Sequence, residues 1–447
     1  MTENNKQSAR FAAYSSLLRC EKDKRYSNLE IDSTIRRFGL EGAERGLYTT
    51  LVYGVIERRI TLDYFLSRFS AKPLDTLDPE VLTLLRLGLY QLIYLDRIPE
   101  SAAVNESVIL AKRVKPRAAS FVNAVLRGFL RGMGRKKLEY PDESNLLHYF
   151  SVRYSCSEDV IQALIRSVEN VGELLEAMSV QPDVTLRVNT LKITRDALMD
   201  KLREAGVEAV PTSISPFGVR LTGKTLPESV SALIASGEVF VQDEASQLAV
   251  MAADPCPGQT VIDTCACPGG KSFSAAMLME NRGRIMSFDL HKNKLSLVES
   301  GAAKMGISIL TVAEKNGMVP DETLYESADV VICDAPCSGL GVIAKKPEIR
   351  YKSSSDICGL PMTQLSILKV AARYVKVGGT LCYTTCTLNK DENERVVESF
   401  LRETSDYTYA PAGFNLGELS FPDGQCMLLP HIHGTDGFFI AKFTRIK

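Results

Sequence analysis

The feature that most constrains the fold is an alternation of apolar strands with helical segments that begins near residue 238. The strand-like runs include QTVID, RIMSF, VVIC and GTLCYTT, and helix-like segments separate them. This order predicts a doubly wound α/β sheet, in which parallel strands carry helices on both faces. Ligands and reacting groups of such sheets lie beyond the carboxyl ends of the strands, so a functional site is expected there.

The sequence before residue 238 has two different patterns. From about residue 7 to 131 apolar residues recur at helical spacing, and Asp78-Pro79-Glu80 predicts a helix start with a capping carboxylate. Farther on, TLRVNTLKI and GVRLTG resemble strands, and TRDALMDKLREAG between them resembles a helix closed by glycine. These patterns predict an all-helical part followed by a small α+β module.

A chain of 447 residues is too long for one ordinary hydrophobic core. The changes of pattern place the expected boundaries. We predict an all-α domain at residues 1–140, a small α+β module at 141–237 and the α/β domain at 238–447.

The cysteines and the amino terminus together indicate the cellular compartment. The start, MTENNKQSAR, lacks the basic end and apolar stretch of a signal peptide, and no 18-residue apolar run follows. Eleven cysteines in such a chain favour free thiols over a disulfide framework. We therefore expect a cytoplasmic protein without a membrane partner.

Charge is distributed unevenly along the chain. Residues 1–140 carry 24 Lys and Arg against 16 Asp and Glu, a net charge of +8, whereas the remainder carries 29 against 38, a net charge of −9. A basic cluster without any acid lies between Glu106 and Glu139 and suits phosphate contacts, although a solvated helix face and charged linker explain it equally well. Its members are Lys112, Arg113, Lys115, Arg117, Arg127, Arg131, Arg135, Lys136 and Lys137.

One predicted strand end has the marks of a nucleotide site. The strand ending at Asp263 is followed by a loop with Gly269 and Gly270 and then by a helix, whose first amides are free to bind a ligand. The next strand ends at Asp289, where a carboxylate accepts hydrogen bonds from ribose hydroxyls. Phosphate-loop and dinucleotide spacings are both absent. Cys265 and Cys267 have poor spacing for zinc, so we expect no metal.

Two further strand ends carry cysteines. Asp334 and Cys337 follow the strand VVIC, and Cys386 follows the strand GTLCYTT. A thiolate that adds to carbon 6 of cytosine makes carbon 5 nucleophilic, and a second group must then remove the carbon 5 proton. Asp334, protonated or sharing a proton with ring nitrogen 3, would stabilise the charge on the pyrimidine. A redox dithiol is the alternative for these two cysteines, whereas Cys333 and Cys382, inside strands, are expected to be buried.

Several motifs together resemble the RNA cytosine-C5 methyltransferases of the RsmB/NOP2/NSUN family. They are DTCACPGGKS, SFDLHKNKL, DAPCSGLGV, GGTLCYTTCTLNKDENE and PHIHGTDGFFIAKF, and the helical amino-terminal part resembles NusB, an RNA-binding protein. The resemblance implies a Rossmann-like class I methyltransferase domain that uses S-adenosyl-L-methionine. The NusB-like part implies 16S ribosomal RNA of the small subunit as the substrate.

The resemblance also implies roles for individual residues. Cys386 matches the family's nucleophile, Cys337 the cysteine needed for release, and Asp334 the acid beside cofactor and base. The family's adenine-contacting aspartate has no clear counterpart, and Glu314 and Asn316 stay open as substitutes. The residues implied to bind the cofactor are Cys265, Ala266, Cys267, Pro268, Gly269, Gly270, Lys271, Asp289 and Asp334, and those expected to bind RNA are Arg187, Asn189, Lys345, Lys346 and Arg350.

The sequence thus predicts an enzyme that methylates cytosine carbon 5 in 16S ribosomal RNA through an adduct to Cys386. A tRNA cytosine-C5 methyltransferase and a catalytically silent RNA-binding assembly factor are the alternatives. The family's chains are generally monomeric, so we expect a monomer.

Overall fold

The computed structural model describes residues 8–23, 27–134, 137–223, 226–412 and 423–447. The chain forms two compact units. The first comprises residues 1–162 and 346–353, and the second comprises residues 163–345 and 354–447. None of the described helices is long and apolar enough to cross a membrane.

The first unit is helical throughout its described secondary structure. Leu51, Leu62, Phe65, Leu84 and Phe129 are almost entirely buried and lie in one continuous core. This arrangement confirms the all-helical prediction. The helices are α1 (Ala9–Asp23), α2 (Ser27–Phe38), α3 (Gly42–Glu57), α4 (Arg59–Ser67), α5 (Pro79–Tyr94), α6 (Glu100–Val114), α7 (Ala119–Gly132) and α8 (Leu146–Tyr154).

The predicted start of α5 is confirmed, but the predicted capping contact is wrong. Asp78 is the residue before α5 and Pro79 is its first residue, as proline's fixed backbone angle favours. The Asp78 side chain makes no capping hydrogen bond to α5 and instead forms an ion pair with Lys115 at 2.9 Å. Lys115 therefore attracts the carboxylate away from the helix end.

A small four-stranded antiparallel sheet follows α9 (Glu158–Ser167) and α10 (Val171–Ala177). Its strand order is β2-β3-β1-β4, and two helices pack on one face around Leu186, Val188 and Leu198. The glycine expected to close the first helix, Gly206, has a left-handed φ of 68°. The elements are β1 (Thr185–Val188), α11 (Arg195–Glu204), β2 (Ala209–Pro211), β3 (Gly218–Leu221), α12 (Glu228–Ala235) and β4 (Val239–Val241).

An eight-stranded sheet with the order β10-β12-β9-β8-β5-β6-β7 forms the rest of the second unit, and β11 pairs with β12. Its elements are α13 (Glu244–Ala253), β5 (Thr260–Asp263), α14 (Gly270–Leu278), β6 (Arg284–Asp289), α15 (Lys292–Met305), β7 (Leu310–Glu314), β8 (Ala328–Asp334), α16 (Ser354–Ile357), α17 (Leu360–Tyr374), β9 (Val375–Thr385), α18 (Glu394–Glu403), β10 (Tyr407–Tyr409), β11 (Gln425–Leu428), α19 (Pro430–His433) and β12 (Phe438–Arg445).

The five strands from β5 to β9 are parallel, and helices cover both faces of the sheet, as predicted. Val261 and Ile332 face one core with α13, α14 and α15, whereas Ile262 and Val331 face the other with α17 and α18. The sheet is mixed, because β12 runs antiparallel to β9. The strand order reverses between the neighbours β5 and β8, so their carboxyl ends form the switch point where ligands bind in such folds.

Candidate active site

The loop after β5 contains a glycine in a backbone conformation that other residues rarely adopt. Gly269 has a φ of 110°, and a Cβ atom built there would lie 2.3 Å from the Phe273 ring. Gly269 is the residue before α14, and it has no side chain that could accept hydrogen bonds from the first amides of that helix. Backbone N–H groups at this edge are therefore available to a ligand.

Carboxylates hold this loop from two sides. Asp289, at the end of β6, accepts hydrogen bonds from the amides of Cys267 at 3.2 Å and His291 at 2.9 Å. Asp263 is buried and accepts a bond of 2.7 Å from the hydroxyl of Ser272 on α14. Burial raises the pKa of Asp263 to about 6. The loop is thus fixed between the ends of two parallel strands.

Lys271 and Asp334 form a mostly buried ion pair beside this loop. The Lys271 Nζ lies 2.6 Å from the Asp334 Oδ2, and the Thr384 hydroxyl donates a bond of 2.9 Å to the other carboxylate oxygen. Burial acts to lower the pKa of Lys271, but the Asp334 carboxylate and neighbouring groups, including Cys386, hold that pKa above its ordinary value. Lys271 therefore carries its charge and favours negative charge on its neighbours.

The two predicted cysteines meet beyond the ends of β8 and β9. Asp334 pairs with Thr384 in the parallel register, so the loops that follow these strands leave the sheet side by side. The Sγ atoms of Cys337 and Cys386 are 3.3 Å apart. The hydrogen bond to Cys386, together with burial, raises the pKa of Cys337 well above its ordinary value. Either sulfur can donate in this contact, and the raised pKa of Cys337 is consistent with Cys337 as the donor and Cys386 as the thiolate.

The other cysteines near the sheet are unsuited to be nucleophiles. Cys333 and Cys382 are completely buried, as predicted, and burial raises the pKa of each to about 12. Burial likewise raises the pKa of Cys265 well above its ordinary value. Burial and the nearby Asp289 raise the pKa of Cys267 to about 12. Neutral thiols at these positions serve packing and backbone geometry.

The structure places Arg187 and Asn189 in the interior of the second unit. Neither side chain is exposed. Asn189 donates to the carbonyl oxygens of Gly237 at 2.7 Å and Met305 at 2.9 Å. Arg187 lies over the Phe217 ring at 4.7 Å, its guanidinium has no hydrogen-bond partner among the described residues, and burial lowers its pKa to about 9. In this conformation neither side chain can contact a phosphate, contrary to the expected RNA contact.

The remaining predicted RNA contacts fall in both units. Lys345, in the second unit, is held by Asp243 at 2.6 Å and Asp436 at 2.8 Å. In the first unit Arg350 is 1% exposed and donates to the Tyr154 carbonyl oxygen at 2.9 Å, which gives it a packing role instead of the expected RNA contact. Lys346, also in the first unit, is exposed.

The two open candidates for an adenine contact differ in their surroundings. Glu314 is exposed at the end of β7 and pairs with Asp289 in the sheet register. The side chain of Asn316 instead accepts a hydrogen bond of 3.0 Å from the Met318 amide within its own loop. Glu314 is therefore the more available of the two.

Most described members of the basic cluster of the first unit are exposed. They are Lys112, Arg113, Arg117, Arg127, Arg131 and Lys137. Lys115 is paired with an acid, and Arg113 lies 3.9 Å from the centre of a phenylalanine ring. Arg135 and Lys136, two further predicted members, lie outside the described residues.

Three residues that hold the candidate site were missed by reasoning from the sequence. Thr384 bonds Asp334, and its place inside the strand before Cys386 is the only signal for it. Glu392 and Gln364 hold the Cys337 loop. Glu392 lies in the KDENE stretch, but an acidic cluster of this kind is typical of an exposed turn.

Comparison with known proteins identifies each part of the chain. A sequence model of 16S rRNA methyltransferase RsmB/F matches residues 250–444, one of the NusB family matches residues 7–131, and one of the RsmF/B-like ferredoxin-like domain matches residues 166–226. The predicted order of folds, a NusB-like helical domain, a small α+β module and a Rossmann-like methyltransferase domain, is thereby confirmed.

Whole-chain relatives agree with these matches. The probable ribosomal RNA small subunit methyltransferase B of Bacillus subtilis is 38% identical, with 98% of this chain and 99% of that protein covered. The ribosomal RNA small subunit methyltransferase B of Klebsiella pneumoniae is 32% identical, with 90% of each covered. The crystal structure of PH0851 has a TM-score of 0.81 at 27% identity and covers 98% of both chains. The chain belongs to the RsmB/F family of 16S rRNA methyltransferases.

Proposed function

We propose that the chain methylates carbon 5 of a cytosine in 16S ribosomal RNA, with Cys386 as the nucleophile and Cys337 as the residue that assists release. The observation that carries the proposal is the 3.3 Å contact between the two thiols beside the Lys271–Asp334 pair. The names of the relatives support ribosomal RNA of the small subunit as the substrate.

The residues around the β5 loop fit S-adenosyl-L-methionine. Uncapped amides at the start of α14 suit a carboxylate, and Asp289 at the end of β6 suits ribose hydroxyls. The loop Cys265–Lys271 and Asp289 would hold this cofactor, which supplies an electrophilic methyl group when bound. The cofactor loop and the thiols share one edge of the sheet, so a base bonded to Cys386 would lie near the methyl group of a bound cofactor.

Cys386 begins the reaction. Its thiolate, favoured by the Cys337 proton and by the Lys271 charge, adds to carbon 6 of the cytosine and forms a carbon–sulfur bond. Electron density then moves to carbon 5, which takes the methyl group. The Asp334 carboxylate with its bound Lys271 ammonium forms a charged pair that orients the base and stabilises its transient charge.

Cys337 completes the reaction. The carbon 5 proton must leave before the carbon–sulfur bond can break. Once Cys386 is bonded to the base, Cys337 gives its own proton to solvent water, and as a thiolate it then accepts the carbon 5 proton and becomes a thiol again. The electron pair of the broken carbon 5–hydrogen bond forms the carbon 5–carbon 6 double bond, and the carbon–sulfur electrons return to Cys386. Both cysteines are then ready for another cycle.

The adduct gives a direct test. Cys337→Ala should methylate RNA once and accumulate a protein–RNA species that survives a denaturing gel. The double variant Cys337→Ala with Cys386→Ala should lose that species, and the exposed-cysteine control Cys256→Ala should behave as the unmodified enzyme. A fully active Cys337→Ala enzyme that leaves no adduct would exclude the proposed release role.

A cytoplasmic monomer is part of the same proposal. The substrate implied by the relatives is ribosomal RNA, which is assembled where the protein is made. One chain contains both thiols and the cofactor loop, so a single copy suffices for the reaction.

A further inference from the structure

Glu392 is a completely buried carboxylate beyond the end of β9. One of its oxygens accepts bonds from the Ser338 amide at 2.8 Å and the Gln364 side-chain amide at 2.9 Å. The other accepts a bond of 2.9 Å from the Asn389 side-chain amide. A buried carboxylate is costly unless it is fully hydrogen-bonded, and charge-assisted bonds of this kind hold their donors in a narrow geometry.

The donors hold the loop that carries Cys337. Gln364 Nε2 also donates to the Pro336 carbonyl oxygen at 3.0 Å, so the residues before and after Cys337 are both tied to this pair. The side-chain oxygen of Gln364, Oε1, has no hydrogen-bond donor among the described residues. The side-chain nitrogen alone therefore orients Gln364. Glu392 and Gln364 thus hold the short loop between Asp334 and Gly339. Two further bonds also hold it, from the Ala335 amide to the Thr384 carbonyl oxygen at 3.0 Å and between the Ser338 and Thr387 hydroxyls at 2.7 Å.

Cys386 depends much less on Gln364. It directly follows β9, where Thr384 and Thr385 pair with β12, and its carbonyl oxygen accepts a bond of 3.0 Å from the Gly341 amide. A change at Gln364 on α17 therefore moves the Cys337 loop and leaves the nucleophile on its strand. Gln364 thus bonds directly to the Cys337 loop, whereas Cys386 is held by its strand and by the Gly341 amide.

We propose that Gln364 and Glu392 are positioning residues that hold Cys337 where it can take the carbon 5 proton in the release step. The inference rests on the proposed function, because it requires that Cys337 assists release. Proton transfer needs close contact between donor and acceptor, and a displacement of about 1 Å costs roughly a hundredfold in rate. Loosening the Cys337 loop therefore slows release more than it slows methyl transfer.

The test uses Gln364→Met, which keeps the volume of the side chain and removes both donated bonds. Single-turnover methylation of RNA and the lifetime of the denaturation-resistant adduct are measured together. Release should slow by at least about tenfold relative to methyl transfer, so that adduct accumulates. The control is Gln91→Met in the first unit, where the buried Gln91 donates to the Leu87 carbonyl oxygen at 3.0 Å. That control should leave no adduct.

Glu392→Gln is the second variant, and it decides the matter if Gln364→Met does not fold. Glutamine has the same shape as glutamate, but its NH₂ group replaces one of the two accepting oxygens and cannot accept a hydrogen bond. At least one of the three N–H donors then loses its acceptor, so adduct should accumulate here too. Release at the unmodified rate in both variants, while Cys337→Ala traps RNA, would overturn the positioning role and leave the proposed function standing. Absence of trapped RNA in Cys337→Ala itself would overturn both.

Discussion

Replacement of Asp334 by asparagine tests the ion pair at the centre of the site. Lys271 is about one-tenth exposed and Asp334 is 30% exposed. Loss of one partner of a buried ion pair costs roughly 3–5 kcal/mol, and the partial exposure of Asp334 reduces this to about 2–3 kcal/mol. The amide keeps one oxygen in place of two, so it cannot accept from both Lys271 and Thr384.

Calorimetry of the whole chain measures the effect on stability. The transition of the second unit should move down by about 5–10 °C in Asp334→Asn, since each kcal/mol shifts the Tm of a domain this large by roughly 2–4 °C. Lys271→Met should also destabilise that unit. The double variant, which leaves no unpaired charge, should be more stable than the sum of the two losses by about 1–2 kcal/mol.

A surface pair provides the control. Asp200→Asn removes the partner of Arg203, and both side chains are mostly exposed, so the transition should hardly move. If the double variant loses as much stability as Asp334→Asn and Lys271→Met lose together, the energetic coupling between Lys271 and Asp334 is refuted. A Tm for Asp334→Asn equal to that of the unmodified chain would refute the magnitude.

Three further predictions concern other parts of the chain. The pKa of buried Asp263 is raised to about 6 from an unfolded value near 3.8, so between these pH values the folded state binds more protons than the unfolded state. The free energy of unfolding therefore falls as pH rises through that range, by about 3 kcal/mol in total. In Asp263→Asn this pH-dependent loss should disappear from denaturation curves recorded between pH 4 and 7. Gly269→Ala forces a Cβ into the Phe273 ring at an unfavourable φ and should weaken cofactor binding by at least about tenfold in calorimetry, and an unchanged affinity would contradict the proposed loop. Asp78→Ala removes an exposed ion pair with Lys115 and no helix cap, so thermal denaturation should show a loss well below the roughly 1 kcal/mol of a lost cap.

Periodicity along the chain was enough to predict the all-helical part and the parallel part of the large sheet, and the family resemblance supplied the NusB-like and Rossmann-like assignments. The strands ending at Asp263, Asp289 and Asp334 were recognised because buried parallel strands are continuous apolar runs, and their carboxyl ends must share one edge. The close approach of Cys337 and Cys386 follows from the same rule. The antiparallel β12 was not predicted, because an apolar run does not specify the direction in which it pairs.

Contacts between distant segments could not be predicted. Leu186 and Val188 point to the core side of β1, so the side chain of Arg187 between them is expected to point to solvent. In the structure the opposite side of β1 is also covered within the second unit, and Arg187 is buried. Arg350 stands beside two lysines in a segment that looks solvated, but its guanidinium is buried against the Tyr154 carbonyl. Glu392 lies 54 residues from Ser338, so no local pattern reveals their bond. Tertiary packing decides each of these positions.

The most direct test of the central claim is transfer of a labelled methyl group from S-adenosyl-L-methionine to purified small-subunit ribosomal RNA, by the unmodified chain and by Cys386→Ala. The account predicts label in 5-methylcytosine with the unmodified chain and none with the variant. Label that persists in Cys386→Ala would contradict the assigned nucleophile, label only in tRNA would contradict the substrate, and no label in either RNA would favour a silent assembly factor.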